Sequence, residues 1–134
     1  MLHVHHIAII CADYARSRRF YAETLGFPVI REVHRETRRS WKCDLDAGNV
    51  QIELFSFPDP PPRPSYPEAQ GLRHLAFVTA DLDGEVARLT GLGIACEPIR
   101  LDEHSGRRFT FFADPDGLPL ELYEAGQGPG AEAS

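Results

Sequence analysis

The chain has 134 residues, of which 43% are hydrophobic and 25% are charged; this composition is typical of one soluble globular domain and excludes a disordered or fibrous chain. Its net charge of -6 excludes the clustered positive surface that binds a phosphate backbone, so we expect no nucleic-acid partner. There is no long apolar run, no signal-peptide pattern and no paired cysteine spacing, so the sequence predicts a cytoplasmic protein without a membrane partner.

The first half of the chain predicts one strand, one helix and three further strands. The first strand is predicted at residues 4–10, and Asp13 is a suitable N-cap for a helix that continues to about Leu25 and ends at Gly26. Runs of branched and aromatic residues then predict strands at 28–33, 40–45 and 50–57. This order is a βαβββ module that covers about residues 3–57.

The second half repeats that order after a proline-rich connector. Residues 58–67 contain six prolines, which interrupt helices and strand ladders, so we expect a semi-rigid connector there. A strand at 72–78 precedes a helix that Asp81 caps and that Gly91 and Gly93 end. Further strands are predicted at 94–100, 107–112 and 118–123. The second module covers about residues 71–124, the single domain covers residues 1–125, and residues 126–134 are predicted to form a flexible tail.

Matching segments of the two halves lie 68 residues apart. The tripeptide His-Ile-Ala that begins at His6 recurs as His-Leu-Ala at His74. The tripeptide Ile-Glu-Leu around Glu53 recurs as Leu-Glu-Leu around Glu121. Each module therefore carries a histidine on its first strand and a glutamate on its last strand, at the same separation of 47 residues.

Strand alternation predicts that both glutamates point away from the apolar face of their sheet. Ile52 and Leu54 share one face, and Glu53 lies on the other; Glu121 is placed in the same way between two leucines. A single glutamate or histidine on a strand is usually a solvated or hydrogen-bonded surface group. Because the His and Glu recur together at the same spacing in both modules, the joint pattern instead favours a metal site.

The chemistry of the four side chains supports a divalent metal. If the two modules pair about a pseudo-twofold axis, His6, Glu53, His74 and Glu121 converge. Two neutral imidazoles and two carboxylates balance the charge of a divalent ion and suit zinc, nickel, cobalt or iron, whereas two adjacent carboxylates without a cation would repel each other. The competitors for the first ligand are His3 and His5, but only His6 aligns with the histidine of the second module.

Several segments resemble a known superfamily. HHIAI, the Asp-capped helix ending in LGF, IELF, RHLAF and DPDGLPLELYE are similar to the signatures of the vicinal oxygen chelate superfamily of glyoxalase I, bleomycin resistance proteins and extradiol dioxygenases. The resemblance covers about residues 3–124 and is closest to small bacterial glyoxalase I-like proteins. It implies an α+β fold in which two paired βαβββ modules form cupped mixed sheets, commonly in a homodimer. It also implies one divalent metal ion per site, zinc or nickel, with cobalt, iron and manganese as alternatives.

Within that superfamily, two histidines and two glutamates are the ligand set of glyoxalase I, or lactoylglutathione lyase. The resemblance therefore implies a metal-dependent lyase or isomerase that acts on a small substrate with vicinal oxygens, such as the hemithioacetal of methylglyoxal, through an enediolate-like state. Glu121 would be the base that takes a proton from one carbon and returns it to the next, and Glu53 would assist. The alternatives are a metal-dependent dioxygenase and a non-catalytic small-molecule binding protein of the bleomycin resistance type.

The chain departs from the bacterial glyoxalase I pattern at the residues that hold glutathione. Those enzymes generally place an Arg four residues after the first ligand His and an Asn four residues after the first ligand Glu, where this chain has Ile10 and Phe57. Five arginines are candidate replacements: Arg19, Arg35, Arg38, Arg39 and Arg108. The aromatic residues predicted to line a more apolar pocket are Phe55, Phe57, Phe109, Phe111 and Phe112, with Trp41.

Overall fold

The chain folds as two units that each contain one mixed sheet. The computed structural model describes residues 1–126, and the chain divides into Met1–Arg63 and Pro64–Ser134, a division that falls inside the proline-rich stretch. Each unit contains one four-stranded sheet with a helix after its first strand. The predicted α+β fold with two βαβββ modules is therefore confirmed. From residue 127 onward, the predicted tail lies outside the described residues.

Module 1 has the strand order β1-β4-β3-β2. β1 runs parallel to β4, and the other neighbouring strands are antiparallel. A π-helical turn at Phe20–Thr24 continues α1, and a short 3-10 turn at Glu36–Arg38 joins β2 to β3. The elements are β1 (His6–Cys11), α1 (Tyr14–Arg19), β2 (Val29–Arg35), β3 (Ser40–Asp46) and β4 (Gln51–Ser56).

The first helix begins as predicted and then widens. The Asp13 carboxylate accepts a hydrogen bond from the backbone N–H of Arg16, which confirms the N-cap. Beyond Arg19 the hydrogen bonds span five residues, as in the bond from the Leu25 N–H to the Phe20 carbonyl at 2.9 Å. The wide turn buries two consecutive aromatic side chains, Phe20 and Tyr21. The helix therefore extends to about Leu25 as predicted, but its second half is π-helical rather than α-helical.

Module 2 repeats the topology with the strand order β5-β8-β7-β6. The Asp81 carboxylate caps α2 by accepting from the Gly84 N–H at 3.0 Å. In the part of the chain that the structure describes, neither this helix nor α1 is long and apolar enough to cross a membrane. The elements are β5 (Leu75–Thr79), α2 (Leu82–Gly91), β6 (Arg100–Asp102), β7 (Arg107–Ala113) and β8 (Pro119–Glu124).

The strand predicted at 94–100 is wrong over most of its length, because only Arg100–Asp102 pairs in a ladder. The residues before it follow β7 through isolated contacts. Glu97 donates its N–H to the Phe111 carbonyl at 2.9 Å, and its own carbonyl accepts from the Thr110 hydroxyl at 2.6 Å. The next residue, Pro98, has no N–H to donate, so a regular ladder does not continue.

The faces of the two sheets are arranged as strand alternation predicted. Ile52 and Leu54 on β4 are fully buried, and Leu120 and Leu122 on β8 are buried in the same way. In each module this apolar face belongs to the core, together with buried residues of the module's helix. The opposite face, here called the site face, carries Glu53 in module 1 and Glu121 in module 2.

Candidate metal centre

His6 and Glu53 form a close pair on the site face of module 1. They lie on parallel neighbours, because His6 starts β1 and Glu53 is at the middle of β4. The His6 Nδ1 and the Glu53 Oε2 are 3.5 Å apart, and the glutamate side chain is only 14% exposed. The same histidine nitrogen also lies 2.9 Å from the Nδ1 of His5. His6, the histidine that the repeat selected, is thus the one whose ring lies against the glutamate.

His74 and Glu121 form the equivalent pair in module 2. His74 directly precedes β5, and Glu121 is at the middle of β8. The His74 Nε2 and the Glu121 Oε1 are 3.1 Å apart, and the glutamate side chain is 12% exposed. The histidine ring meets the Phe111 ring edge-on, with 5.0 Å between the centroids. Each module therefore brings its predicted His and Glu together.

The geometry of each pair fits two ligands of one metal ion. Donors that each lie about 2.0–2.2 Å from a metal, at angles of roughly 90–110°, are separated by about 3.0–3.5 Å. The separations of 3.5 and 3.1 Å in the two pairs match that range. Within residues 1–126, no group of three or more His, Cys, Asp or Glu side chains is close enough to hold a metal ion. Each pair by itself therefore offers two donors.

The surroundings of Glu53 include two charged residues that the sequence analysis missed. The Lys42 ammonium lies 2.6 Å from Asp44 Oδ1 and 3.8 Å from Glu53 Oε1. Burial raises the pKa of the Asp44 carboxyl, but hydrogen bonds from Lys42 and Arg31 outweigh it, so the pKa falls below its ordinary value. The lysine side chain is only 18% exposed. Glu53 therefore sits beside a nearly buried network of charges.

Glu121 has aromatic neighbours at the corresponding positions. On β3 the residue opposite Glu53 is Asp44, whereas on β7 the residue opposite Glu121 is Phe111. Phe109, two residues earlier on β7, lies on the same face, and its ring is edge-on to that of Phe111, with 6.1 Å between the centroids. Among the described residues, Glu121 lies against His74, and no Lys or Arg is within ion-pair distance of its carboxylate. The two glutamates thus occupy different electrostatic environments.

The aromatic residues predicted to line a pocket are divided between the two faces of the sheets. Phe55 and Phe57 stack on the site face of module 1 at 5.9 Å, next to Glu53. Trp41 instead stacks on Tyr14 of α1 at 5.2 Å, on the helix side of the sheet. Phe112 is buried on the face opposite Phe111. Trp41 and Phe112 therefore lie on the helix side of their sheets and not beside Glu53 or Glu121.

Of the five candidate arginines, Arg35 is the one that the structure places against the site face. Its guanidinium lies over Phe55 and Phe57. Arg108 instead donates to Asp83 and Glu124 on the helix side of module 2, with Nη2 contacts of 2.7 Å to each. In the described part of the chain, the other three, Arg19, Arg38 and Arg39, form no ion pair with Glu53 or Glu121.

The sequence of residues 3–122 matches the model of the Glyoxalase/Bleomycin resistance protein/Dioxygenase superfamily. The chain belongs to this superfamily. It is 62% identical over 122 residues to the uncharacterized protein YaeR of Escherichia coli K12, covering 90% of this chain and 95% of that protein. It is 61% identical to the uncharacterized protein YwkD of Bacillus subtilis 168, with the same coverage. The crystal structure of a glyoxalase family protein from Enterococcus faecalis is 48% identical, with a TM-score of 0.85 over 91% of this chain and 97% of that one.

Superfamily membership adds chemical context to the two pairs. Members of the superfamily generally use a divalent metal, bind small molecules and include enzymes. The donors found here, imidazole nitrogen and carboxylate oxygen, are ligands that zinc, nickel and iron accept. The side chains present in each module therefore fit the kind of ion that the superfamily uses.

Proposed function

We propose that this protein is a metal-dependent lyase or isomerase of the glyoxalase I type. Its substrate would be a small molecule with vicinal oxygens, such as the hemithioacetal of methylglyoxal with a thiol. The observation that carries the proposal is the recurrence of a His–Glu pair at ligand-like separation, 3.5 Å in module 1 and 3.1 Å in module 2. Two such pairs supply the two histidines and two glutamates that distinguish glyoxalase I within the superfamily.

The proposed metal ligands are His6, Glu53, His74 and Glu121, which together would hold one divalent ion, zinc or nickel. The two pairs would come from one chain or, in a homodimer, from two. When bound, the metal would supply Lewis acidity to adjacent substrate oxygens and stabilise the negative charge that develops on them. Four protein ligands leave coordination positions for those oxygens if the ion is five- or six-coordinate.

We assign the proton transfer to Glu121. Its carboxylate would take a proton from one substrate carbon and return it to the neighbouring carbon. Its surroundings support this role, because the residue opposite it on β7 is Phe111 and, among the described residues, no ammonium or guanidinium lies within ion-pair distance to hold the carboxylate in place. Glu53, held by Lys42 at 3.8 Å, would assist from a fixed position.

The test of the activity is an assay of the untagged protein with methylglyoxal and glutathione after reconstitution with zinc, nickel, cobalt or ferrous iron. The proposal predicts thioester formation that depends on the metal. Bound metal without turnover on this or related hemithioacetals would contradict the lyase assignment. In that case oxygen uptake with ferrous iron would identify a dioxygenase, and its absence would indicate a binding protein.

A mixing experiment tests whether the ligands come from one chain or two. Glu53→Ala removes a ligand from the first pair, and Glu121→Ala removes one from the second. If a site is shared between two chains, a mixed dimer of these variants regains one complete site out of two. If each site belongs to one chain, mixing restores none. Metal content of the mixture, compared with that of each variant alone, separates the two arrangements.

We also propose a cytoplasmic location. Cys11 and Cys43 are buried and Cys96 is half-buried, and within residues 1–126 no disulfide joins them, which fits a compartment that keeps thiols reduced. Thiol labelling of the protein in freshly lysed cells, after denaturation, would detect all three cysteines as reduced; labelling of fewer than three would contradict the assignment.

A further inference from the structure

The carboxylate of Glu53 presents its two oxygens to different partners. Oε2 lies 3.5 Å from the Nδ1 of His6, the neighbouring proposed ligand. Oε1 lies 3.8 Å from the ammonium of Lys42, which is ion-pair distance but too long for a hydrogen bond. The ammonium also lies 5.9 Å from the centroid of the Phe55 ring, a cation–π contact. One oxygen of this proposed ligand therefore faces a second metal donor, and the other faces a cation.

Lys42 is held in place by a row of alternating charges that crosses three strands. Its ammonium donates to Asp44 Oδ1 at 2.6 Å, and the other oxygen of Asp44 accepts from Arg31 Nη2 at 3.2 Å. Arg31, Asp44 and Glu53 are direct neighbours in the register of β2, β3 and β4. The side chains of Lys42 and Asp44 are only 18% and 6% exposed. Burial and the short contact therefore leave the ammonium little freedom to move away from the glutamate.

The described part of module 2 repeats the glutamate without this cation. In the register of its sheet, Phe109 and Phe111 occupy the positions that hold the lysine and the aspartate in module 1. Among the described residues, no ammonium or guanidinium lies within ion-pair distance of either oxygen of Glu121. Lys42 is therefore the feature that distinguishes the two oxygens of Glu53 from those of its counterpart.

We propose that Lys42 is a positioning residue that reserves Oε1 of Glu53, so that the glutamate offers a metal ion Oε2 alone. This inference rests on the metal ligands of the proposed function and assigns a residue that sets the selectivity of that site. A carboxylate that binds through one oxygen suits ions with few ligands, such as zinc, whereas one with both oxygens free also chelates ions that prefer more oxygen ligands, such as manganese. Lys42 is therefore expected to raise the preference of the site for zinc over manganese.

The ratio of zinc affinity to manganese affinity tests this inference, measured at one pH by competition with a fluorescent chelator. Because both ions carry the same charge, the loss of a nearby ammonium changes their electrostatic attraction to the site equally and cancels in the ratio. A change in the ratio therefore reports which oxygens bind. Lys42→Met is expected to lower the ratio about tenfold, since the released oxygen becomes an additional ligand for manganese.

Two further variants separate this role from general effects on the fold. Lys42→Met/Asp44→Leu removes the buried ion pair as a whole, and it should lower the ratio as far as the single variant does. Arg31→Met is the matched control, because Arg31 pairs with the other oxygen of Asp44 but, among the described residues, forms no ion pair with Glu53. It should keep the ratio of the wild type. A fall confined to the single variant, or an equal fall in Arg31→Met, would overturn the inference.

The binding measurements distinguish failure of this inference from failure of the proposed function. Zinc binding by the wild type with an unchanged ratio in Lys42→Met would overturn the role of the lysine and leave the metal centre in place. A lowered ratio in a protein that shows no turnover of hemithioacetals would support the role of the lysine and contradict the lyase assignment. A wild-type protein that binds neither ion would contradict both.

Discussion

The two modules share one topology but place their His–Glu pairs in different surroundings. In module 1, Glu53 lies beside Lys42 and Asp44, which form a nearly buried ion pair. In module 2, Glu121 lies opposite Phe111 of β7, and the next residue on the same face of β7, Phe109, is also a phenylalanine. The repeat therefore duplicates the His and Glu side chains but not the charges around them. The difference suggests a division of labour between the two glutamates: Glu53 is held in place by its neighbours, and Glu121 exchanges a proton.

The largest expected effect of this difference is on turnover. Because Gln preserves the shape of Glu but cannot accept a proton as a carboxylate does, Glu121→Gln should lower kcat by about 100- to 10,000-fold. Glu53→Gln should cost much less, about tenfold, since its role is to hold rather than to transfer. Steady-state kinetics with metal content measured on the same samples checks this. Equal losses in the two variants would contradict the division of labour.

A smaller effect is expected on stability when the charges of module 1 are removed. Lys42→Met leaves Asp44 nearly buried with only Arg31, itself exposed, as a partner, and should lower the free energy of unfolding by about 2 kcal/mol. The double variant Lys42→Met/Asp44→Leu replaces the ion pair with apolar side chains, as module 2 does, and should recover most of that loss. Urea denaturation of the single and double variants measures both values. Losses that simply add would show that the two charges are not coupled.

The smallest effects are expected at the contacts between helix and sheet. In module 1 the sheet carries the acid and the helix the donors, and in module 2 this arrangement is reversed. In module 1 the sheet residue Glu32 accepts from Tyr14 and Arg18 of α1, whereas in module 2 the sheet residue Arg108 donates to Asp83 of α2. The hydrogen bond from Tyr14, followed by that from Arg18, lowers the pKa of Glu32. Because this carboxyl is partly exposed, Glu32→Gln should cost about 1 kcal/mol or less at neutral pH.

The pH dependence of that small loss has a definite sign. A carboxyl whose pKa is lower in the folded state contributes stability above its unfolded pKa, about 4.3 for Glu, and that contribution is lost as the pH falls through the folded value. The difference between wild type and Glu32→Gln should therefore be constant near neutral pH, shrink as the pH falls below about 4.3, and vanish once the pH is below the lowered folded-state pKa of Glu32. Asp83→Asn, at a far more exposed position, should show no resolvable difference in stability at either pH. Thermal unfolding across this pH range provides the measurement.

Much of the fold could be predicted because its signals are local or repeated. The capping residues Asp13 and Asp81 and the alternation around Glu53 and Glu121 are short-range patterns, and the displacement of 68 residues links the halves. The strand at 94–100 was predicted from apolar residues alone, and the ladder there fails because Pro98 cannot donate. The π-helical turn depends on burying Phe20 beside Tyr21, a tertiary requirement that periodicity does not contain.

The parts of the site that were missed depend on contacts across strands. On its own strand, Lys42 has the pattern of an ordinary exposed charge. Its place beside Glu53 follows only from the pairing of β3 with β4, which residue spacing does not determine. Arg35 was one of five equivalent candidates until the structure placed it over Phe55 and Phe57. The four proposed metal ligands could thus be identified from the sequence repeat. Their neighbours could be identified only from the pairing register of the sheet.

The measurement that tests the central claim most directly is the metal content of the purified, untagged protein and of its single-site variants, determined by elemental analysis. The account predicts roughly one divalent ion per chain in the wild type and a marked loss in His6→Ala, Glu53→Ala, His74→Ala and Glu121→Ala. The neighbouring variant His5→Ala should keep its metal. Full metal content in all four ligand variants, or no metal in the wild type under any loading, would contradict the proposed centre.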